Sequence, residues 1–408
     1  MKILVMNAGS SSQKSCLYDL TEASGTQPPK PAWEALIDWT HQQGMAELKI
    51  KTAHGARLQQ EQQANSRAAV MNEMLKTLWQ GETKVIEQPE EIAVVGHRVV
   101  HGGKNYHDSV IVTEAVKQEI DRLSILAPVH NPINLEGIVA IEQLLPTVPQ
   151  VAVFDTAFHA KMPAAAALYP LPYEWTAAGI QRYGFHGTSH KYCAHRAAEI
   201  LGRDINSLKL ITCHLGNGSS LTAIKNGRSI DTTMGFTPLE GLMMGTRCGS
   251  IDPQILIYLM QQKGYAASDL DRILNKESGF LGVSGISADL RQVEAAIATG
   301  NERAKLAREI FLHRLQTSIG AMLANLGGLD ALVFTAGIGE NSAEVRTAAC
   351  EPFAWLGLKL DETKNHNRPV DQDIATADAR VRVVVVHTQE DWAIAQECFR
   401  LMQGRHSG

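Results

Sequence analysis

The chain has 408 residues, enough for two or three ordinary domains. With 44% hydrophobic and 20% charged residues it is globular rather than disordered. Thirty-eight basic against 43 acidic residues leave a formal charge of −5, which argues against nucleic acid as the main partner but permits a local basic site for an anionic substrate. Six scattered cysteines (16, 193, 213, 248, 350 and 398) form no Cys-x-x-Cys pair, so reduced thiols are expected rather than a zinc site. No apolar run reaches membrane-spanning length and the N-terminus lacks signal-peptide form, so a soluble, cytoplasmic protein is expected.

Residues 1–20 read as a strand, a Gly/Ser turn and a return strand. Residues 21–66 carry the least information. Within them Gly25 to Pro31 is a loop, and Trp33 to Trp39 and Ala46 to Thr52 are candidate edge strands. Helical spacing follows over 67–80, a strand over Ile92 to Val100, and a helix over Ala115 to Leu123. Ala127 to Pro132 interrupts the pattern before a helix from about Asn134 to Leu145. Val151 to Phe154 is a short buried strand ending at Asp155, and the first domain is placed at 1–150. The second, 151–387, repeats the scheme: strand, Gly/Ser turn and strand over Leu210 to Ile224, then a long loop from Asp231 to Pro253. A helix over Asn301 to Asn325 has Leu306, Ile310, Leu315, Ile319, Met322 and Leu323 as its apolar face, with Gly327-Gly328 as its stop. Ala331 to Thr335 and Val381 to Val386 are strands. A terminal helix near Trp392 to Met402, within about 388–408, is assigned back to the first domain. Strands alternating with helices predict an α/β fold with mixed sheets.

Two loops stand out. Asn7-Ala8-Gly9-Ser10-Ser11-Ser12-Gln13-Lys14 follows Ile3-Leu4-Val5-Met6, and Gly216-Asn217-Gly218-Ser219-Ser220 follows Leu210 to Leu215. Glycine lets backbone N–H groups approach an anion, and serine adds short donors. A single such loop is more often a plain hairpin turn. Two copies half a chain apart suggest two related domains and a phosphate-bearing ligand.

Six segments in order resemble the acetate kinase (acetokinase) family. They are the first loop with Lys14, Gly96-His97-Arg98-Val99-Val100-His101-Gly102-Gly103, and Arg182-Tyr183-Gly184-Phe185-His186-Gly187-Thr188-Ser189-His190. The others are His214-Leu215-Gly216-Asn217-Gly218, Met244-Gly245-Thr246-Arg247, and Gly337-Ile338-Gly339-Glu340-Asn341. The resemblance runs from residue 3 to about 400, residues 21–66 excepted. It implies two duplicated ribonuclease H-like domains of the actin and hexokinase type around a central nucleotide cleft. It also implies reversible phosphoryl transfer between ATP and acetate, and a homodimer. The chain departs from the family at Thr246-Arg247-Cys248-Gly249-Ser250, where the family continues Thr-Arg-Ser-Gly-Asp, and at Val129, where leucine is usual.

The reaction joins two anions, and two unit charges about 4 Å apart repel by about 4 kcal/mol at an effective dielectric near 20. Fixed cations are therefore required, and transfer depends mostly on positioning and charge stabilisation. Arg98 is assigned to the carboxylate, since a guanidinium binds one with two parallel bonds. His186 and Arg247 are assigned to the phosphoryl oxygens, in agreement with the resemblance. Singly, most arginines are surface ion-pair residues; here both sit beside glycines in turn-rich segments. The resemblance further implies that Asn7 and Glu390 contact magnesium, or manganese in its place. It gives Ser10, Ser12, Lys14 and His214 to Gly218 to the ATP phosphates. Asp289-Leu290-Arg291 and Gly337 to Asn341 fall to the nucleotide, and Val100, Val129, Phe185 and Pro238 to the acyl pocket. The family gives Asp155 a proton-transfer role. Acetate is already deprotonated at neutral pH, so we expect Asp155 to orient Arg98 or a metal-bound water instead. The alternatives are a kinase for propionate or another short acid, and a non-enzymatic ATP-gated interaction module.

Overall fold

The computed structural model describes residues 1–9, 12–20, 28–42, 44–64 and 66–406. They form two compact units, one of Met1–Ala157 with Gln389–Gly408 and one of Phe158–Thr388.

The first unit carries one sheet of eight strands: β1 (Lys2–Ala8), β2 (Ser12–Asp19), β3 (Trp33–Gln42), β4 (Met45–Thr52), β5 (Arg57–Gln63), β6 (Ile92–Val99), β7 (Val110–Ile111) and β8 (Gln150–Phe154). Their spatial order is β5-β4-β3-β2-β1-β6-β8-β7. β1, β6 and β8 run parallel, and Ile3 to Met6, Val94, Val95 and Val151 to Phe154 are buried. Continuous apolar runs of this kind suit strands covered on both faces. The antiparallel β1–β2 register sets Asn7 opposite Lys14.

The second unit carries β9 (Lys209–Leu215), β10 (Ser219–Lys225), β11 (Arg228–Thr232), β12 (Ala331–Thr335), β13 (Gln372–Asp373) and β14 (Arg382–Val385), in the order β11-β10-β9-β12-β14-β13. Six strands of the first sheet, β3-β2-β1-β6-β8-β7, follow the same plan. In each sheet a Gly/Ser hairpin starts the pattern, two parallel strands follow, and a short antiparallel strand closes the edge. The α/β fold with two duplicated mixed sheets is thus realised strand for strand.

Three local differences from the sequence reading have physical causes. β5 reads Arg-Leu-Gln-Gln-Glu-Gln-Gln and has no propensity signal of its own; a full ladder to β4 holds it in place. The helix expected from Asn134 starts at Asn131, because Pro132 lies in the first turn, where its missing N–H costs nothing. In the long helix Glu302–Leu326 the buried stripe is Ala304, Ala307, Phe311, Leu315, Ile319, Met322 and Leu326, while Leu306 is 49% exposed. Small alanines let the helix pack closely on the sheet, so its apolar face is rotated from the one the leucines suggested. Gly327 in the left-handed region ends it.

Candidate active site

In the first unit, ionisable side chains gather at the carboxyl ends of the parallel strands, where α/β sheets place their ligands. Arg98 lies near the end of β6, and Asp155 directly follows β8. Arg98 donates to Asp155 from Nε at 3.2 and 3.1 Å and from Nη2 at 2.6 Å. The Asp155 side chain is 2% exposed and that of Arg98 18%. Burial disfavours the guanidinium charge, yet Asp155, Glu390 and Asp391 together raise its pKa above the usual value. Asp155 therefore anchors the Arg98 guanidinium. At the end of β1, Asn7 donates from Nδ2 to Asp391 Oδ1 at 2.8 Å, which turns its amide nitrogen to the carboxylate and its carbonyl oxygen to the role of metal ligand. Glu390 is the first residue of the helix Glu390–His406. An amide oxygen and a carboxylate are hard ligands, and magnesium, which keeps several waters, fits such a small set. Lys14 is exposed on β2, opposite Asn7. Ser12 begins β2 and its carbonyl accepts from Gly9 N–H at 2.8 Å, whereas Ser10 lies outside the described residues.

In the second unit, strand alternation sorts β9 into two faces. Ile211, Cys213 and Leu215 join the apolar core, and Thr212 and His214 make a buried polar face with Ser220 and Thr222 of β10. The helix Gly187–Ile200 covers that face. His186, its N-cap, sits in the left-handed region at φ 56°. Its ring stacks on His214 with centroids 4.2 Å apart, and its Nδ1 lies 3.0 Å from Ser220 Oγ. Arg247 comes to the same place from the loop after β11. A Cβ built on Gly218 would lie 2.6 Å from Arg247 Nη2 and 3.4 Å from His186 Cε1 and Nε2. His186, Gly218 and Arg247 thus line one spot. Arg247 Nη1 donates to the Pro238 carbonyl at 2.7 Å; among the described residues no carboxylate pairs with it, and burial alone pushes its pKa down to about 10. A half-buried cation with no carboxylate beside it is a ready anion site.

The model of the acetokinase family matches residues 2–396. The chain belongs to the acetokinase family. It is 64% identical over 403 residues to the acetate kinase of Cyanothece sp. (strain PCC 7425 / ATCC 29141), covering 99% of both chains. The crystal structure of Porphyromonas gingivalis acetate kinase matches with a TM-score of 0.90 at 41% identity, over 98% of this chain and 99% of that one. A propionate kinase from Francisella tularensis matches with a TM-score of 0.88 at 39% identity, over 97% and 98%.

Other acetokinase positions fall as follows. Gly337 to Asn341 form the short helix Ala336–Asn341 after β12. A Cβ on Gly337 would meet nothing within 4 Å, so this turn presents bare backbone. The Glu340 carboxylate is turned inward, accepting from Ala336 N at 2.9 Å and Thr388 N at 3.1 Å and pairing with His387 at 2.6 Å. Ile338 packs on the core, and the side chains of Leu215 and Leu290 are buried, so only their backbone remains for a ligand. Asp289 caps the helix Leu290–Ala298 and pairs with Arg291 at 2.6 Å. Asn217 sits beside Gly245, whose N–H donates to the Asn217 carbonyl at 3.0 Å, while Gly216 N–H donates to the Gly218 carbonyl at 3.0 Å. Val100 and Phe185 are buried, whereas Val129 is 47% exposed. Ser250, at the position of the family's aspartate, accepts from Gly241 N–H through Oγ at 3.1 Å. A carboxylate oxygen could make the same contact, so the departure preserves it.

Sequence reasoning missed Asp391, Ser220 and His190. Each stands next to a recognised residue or inside a quoted segment. A helix-start acid, a strand serine and a helix histidine are, however, ordinary until the folded strand faces bring them onto functional side chains.

Proposed function

We propose that the chain transfers the γ-phosphoryl group of ATP reversibly to acetate, giving acetyl phosphate and ADP. The observation that carries this reading is Arg247, a half-buried guanidinium with no carboxylate partner among the described residues, beside His186 and Gly218. An acetate oxygen attacks the γ-phosphorus in line as the bond to the β–γ bridging oxygen breaks. Charge is conserved and no proton moves, so no general base is needed. Arg98, held from one side by Asp155, binds the acetate carboxylate with its remaining donors. Arg247 and His186 donate to the equatorial phosphoryl oxygens, whose charge spreads in the transition state. Lys14, Ser12 and the backbone from His214 to Gly218 hold the ATP phosphates, and the turn at Gly337 to Asn341 lies against the adenosine. Asn7 and Glu390 would hold magnesium, which supplies charge neutralisation of the phosphates. Val100, Val129, Phe185 and Pro238 line the methyl site. The use of ATP supports a cytoplasmic location.

A coupled assay for ADP release with acetate and MgATP, repeated on Arg98→Ala, tests this. We expect activity in the parent and a loss of at least a hundredfold in the variant. A series of longer acids reads the propionate alternative, since one methylene in an apolar pocket is worth about 1–3 kcal/mol.

We infer a homodimer as well. The helix Gln254–Lys263 has no buried residue within its own chain, and Ile255, Ile257, Tyr258 and Met260 are 42–50% exposed. Its only charge is Lys263, so a second copy of the same apolar helix is a complementary occupant.

A further inference from the structure

The polar face of β9 and β10 carries a chain of hydrogen bonds that ends on His186. Thr212 Oγ1 lies 2.7 Å from His190 Nδ1, and His190 Nε2 lies 2.7 Å from Ser220 Oγ. Ser220 Oγ lies 3.0 Å from His186 Nδ1. Thr212, His190 and Ser220 are all 0% exposed, so water does not complete the set. Burial, with His159 and His214 nearby, holds His190 neutral, with one proton to share between two oxygen neighbours.

Such a chain can point two ways. In one, His190 donates from Nδ1 to Thr212, Ser220 donates to His190, and His186 donates from Nδ1 to Ser220. The Thr212 hydroxyl proton then needs another acceptor, and among the described residues its side chain pairs only with His190. In the other, Thr212 donates to His190 Nδ1, His190 donates from Nε2 to Ser220, and Ser220 donates to His186 Nδ1. Here the donors of Thr212, His190 and Ser220 are all used, and only a hydroxyl lone pair is left at the Thr212 end. An orphaned buried donor is the rarer and costlier defect. The end of the chain therefore breaks the symmetry.

We propose that Ser220, His190 and Thr212 form a one-way relay that fixes His186 as the tautomer protonated at Nε2, so that a donor and not a lone pair faces the phosphoryl oxygens. Ser220 and His190 are positioning residues acting through His186, and the proposal rests on the role given to His186 above. Three groups stand around the His186 ring. His214 stacks on it from β9, His190 stands 6.5 Å away on its own helix, and Arg247 brings a fixed positive charge to the same glycine.

The test uses full-length, ligand-free enzyme labelled with 15N-histidine, near pH 7.5. Two-bond nitrogen–proton correlations report each tautomer, and the His186 signals are those missing from His186→Gln. The proposal expects the Nε2–H pattern at His186; the Nδ1–H pattern would overturn it. Ser220→Ala should give a mixture of tautomers and about a tenfold lower kcat, with KM values for acetate and ATP within about twofold. Thr212→Val leaves His190 Nδ1 without an acceptor, so the same rule keeps the proton on His190 Nε2; the Nε2–H pattern should persist at both histidines, and a switch to Nδ1–H at His190 or His186 would overturn the relay even if Ser220→Ala does not fold. An unchanged His186 tautomer in Ser220→Ala would also sink the relay. Because the tautomer is read without substrate, a parent enzyme inactive on acetate would refute the proposed function and leave the relay standing.

Discussion

Gly218→Ala is the most direct probe of the spot shared by His186 and Arg247. The added methyl would sit 2.6 Å from Arg247 Nη2. Ordinary contact begins near the 3.4 Å at which the same methyl would meet His186, so the guanidinium must retreat by about 0.8 Å. Retreat is hindered, because Nη1 is tied to the Pro238 carbonyl at 2.7 Å. The glycine is not in the left-handed region, so the backbone accepts alanine without strain. The substitution should therefore leave stability within about 1 kcal/mol of the parent while moving one cation by nearly an ångström. Misplacements of about 1 Å cost roughly a hundredfold in rate. The expected result is kcat lowered about a hundredfold, an unchanged thermal midpoint and a KM for acetate within threefold, read by coupled ADP assay and calorimetry. Full activity with the fold intact would show that Arg247 does not act at this position.

Gly337→Ala adds a methyl that meets nothing in the protein, so a raised KM for ATP with kcat kept is expected if the adenosine packs there; unchanged kinetics would remove the assignment. Asp155→Asn should lower activity about a hundredfold by loosening Arg98, with no recovery at high pH; rescue at high pH would restore a proton-transfer role. His97 and His159 are each pushed by burial to about 4, below the unfolded value near 6.5. A lowered folded pKa means that the unfolded chain binds more protons between those values. Stability is thus fully present above about pH 6.5 and is lost as pH falls toward 4, by about 1.4 kcal/mol per unit of depression. Urea midpoints across this range should show a slope that flattens in His97→Phe, and an unchanged slope would refute the assignment. Tyr258→Asp should convert the dimer to monomer in sedimentation, and a parent already monomeric would contradict the inferred interface.

Much of the fold was legible because it is written in local signals. The apolar runs before the two Gly/Ser turns, the Gly327 stop and the valine-rich β14 all depend on nearest neighbours in sequence. β5 was not legible, since its pairing energy comes from the β4 backbone. The rotated face of Glu302–Leu326 was missed because Ala304 and Ala307 carry little hydrophobic weight yet permit close approach. At the site, residue types were readable and pairings were not. Nothing local in Asn7 points to Asp391, which lies far along the chain and arrives through the terminal helix. Likewise His190 acquires its meaning only when strand alternation turns Thr212 and Ser220 toward it.

The two arginines also differ in a way that bears on which anion each receives. Arg98 is already neutralised by Asp155, with Glu390 and Asp391 adding negative charge around it. Such a group offers directed hydrogen bonds with little net attraction, which suits a monoanionic carboxylate that must bind and leave. Arg247 has burial against it and, among the described residues, no carboxylate for it, so an arriving anion finds its charge unopposed. That favours the species carrying the most charge, the phosphoryl group in flight, over a bound carboxylate. The prediction that separates the two is the response to lysine, which keeps the charge and loses the paired donors. Arg98→Lys should chiefly raise the KM for acetate, because one ammonium cannot replace the paired donors. Arg247→Lys should chiefly lower kcat, because the lost contact matters most where charge develops. If both substitutions changed KM and kcat in the same proportion, the division of roles drawn from their surroundings would be wrong.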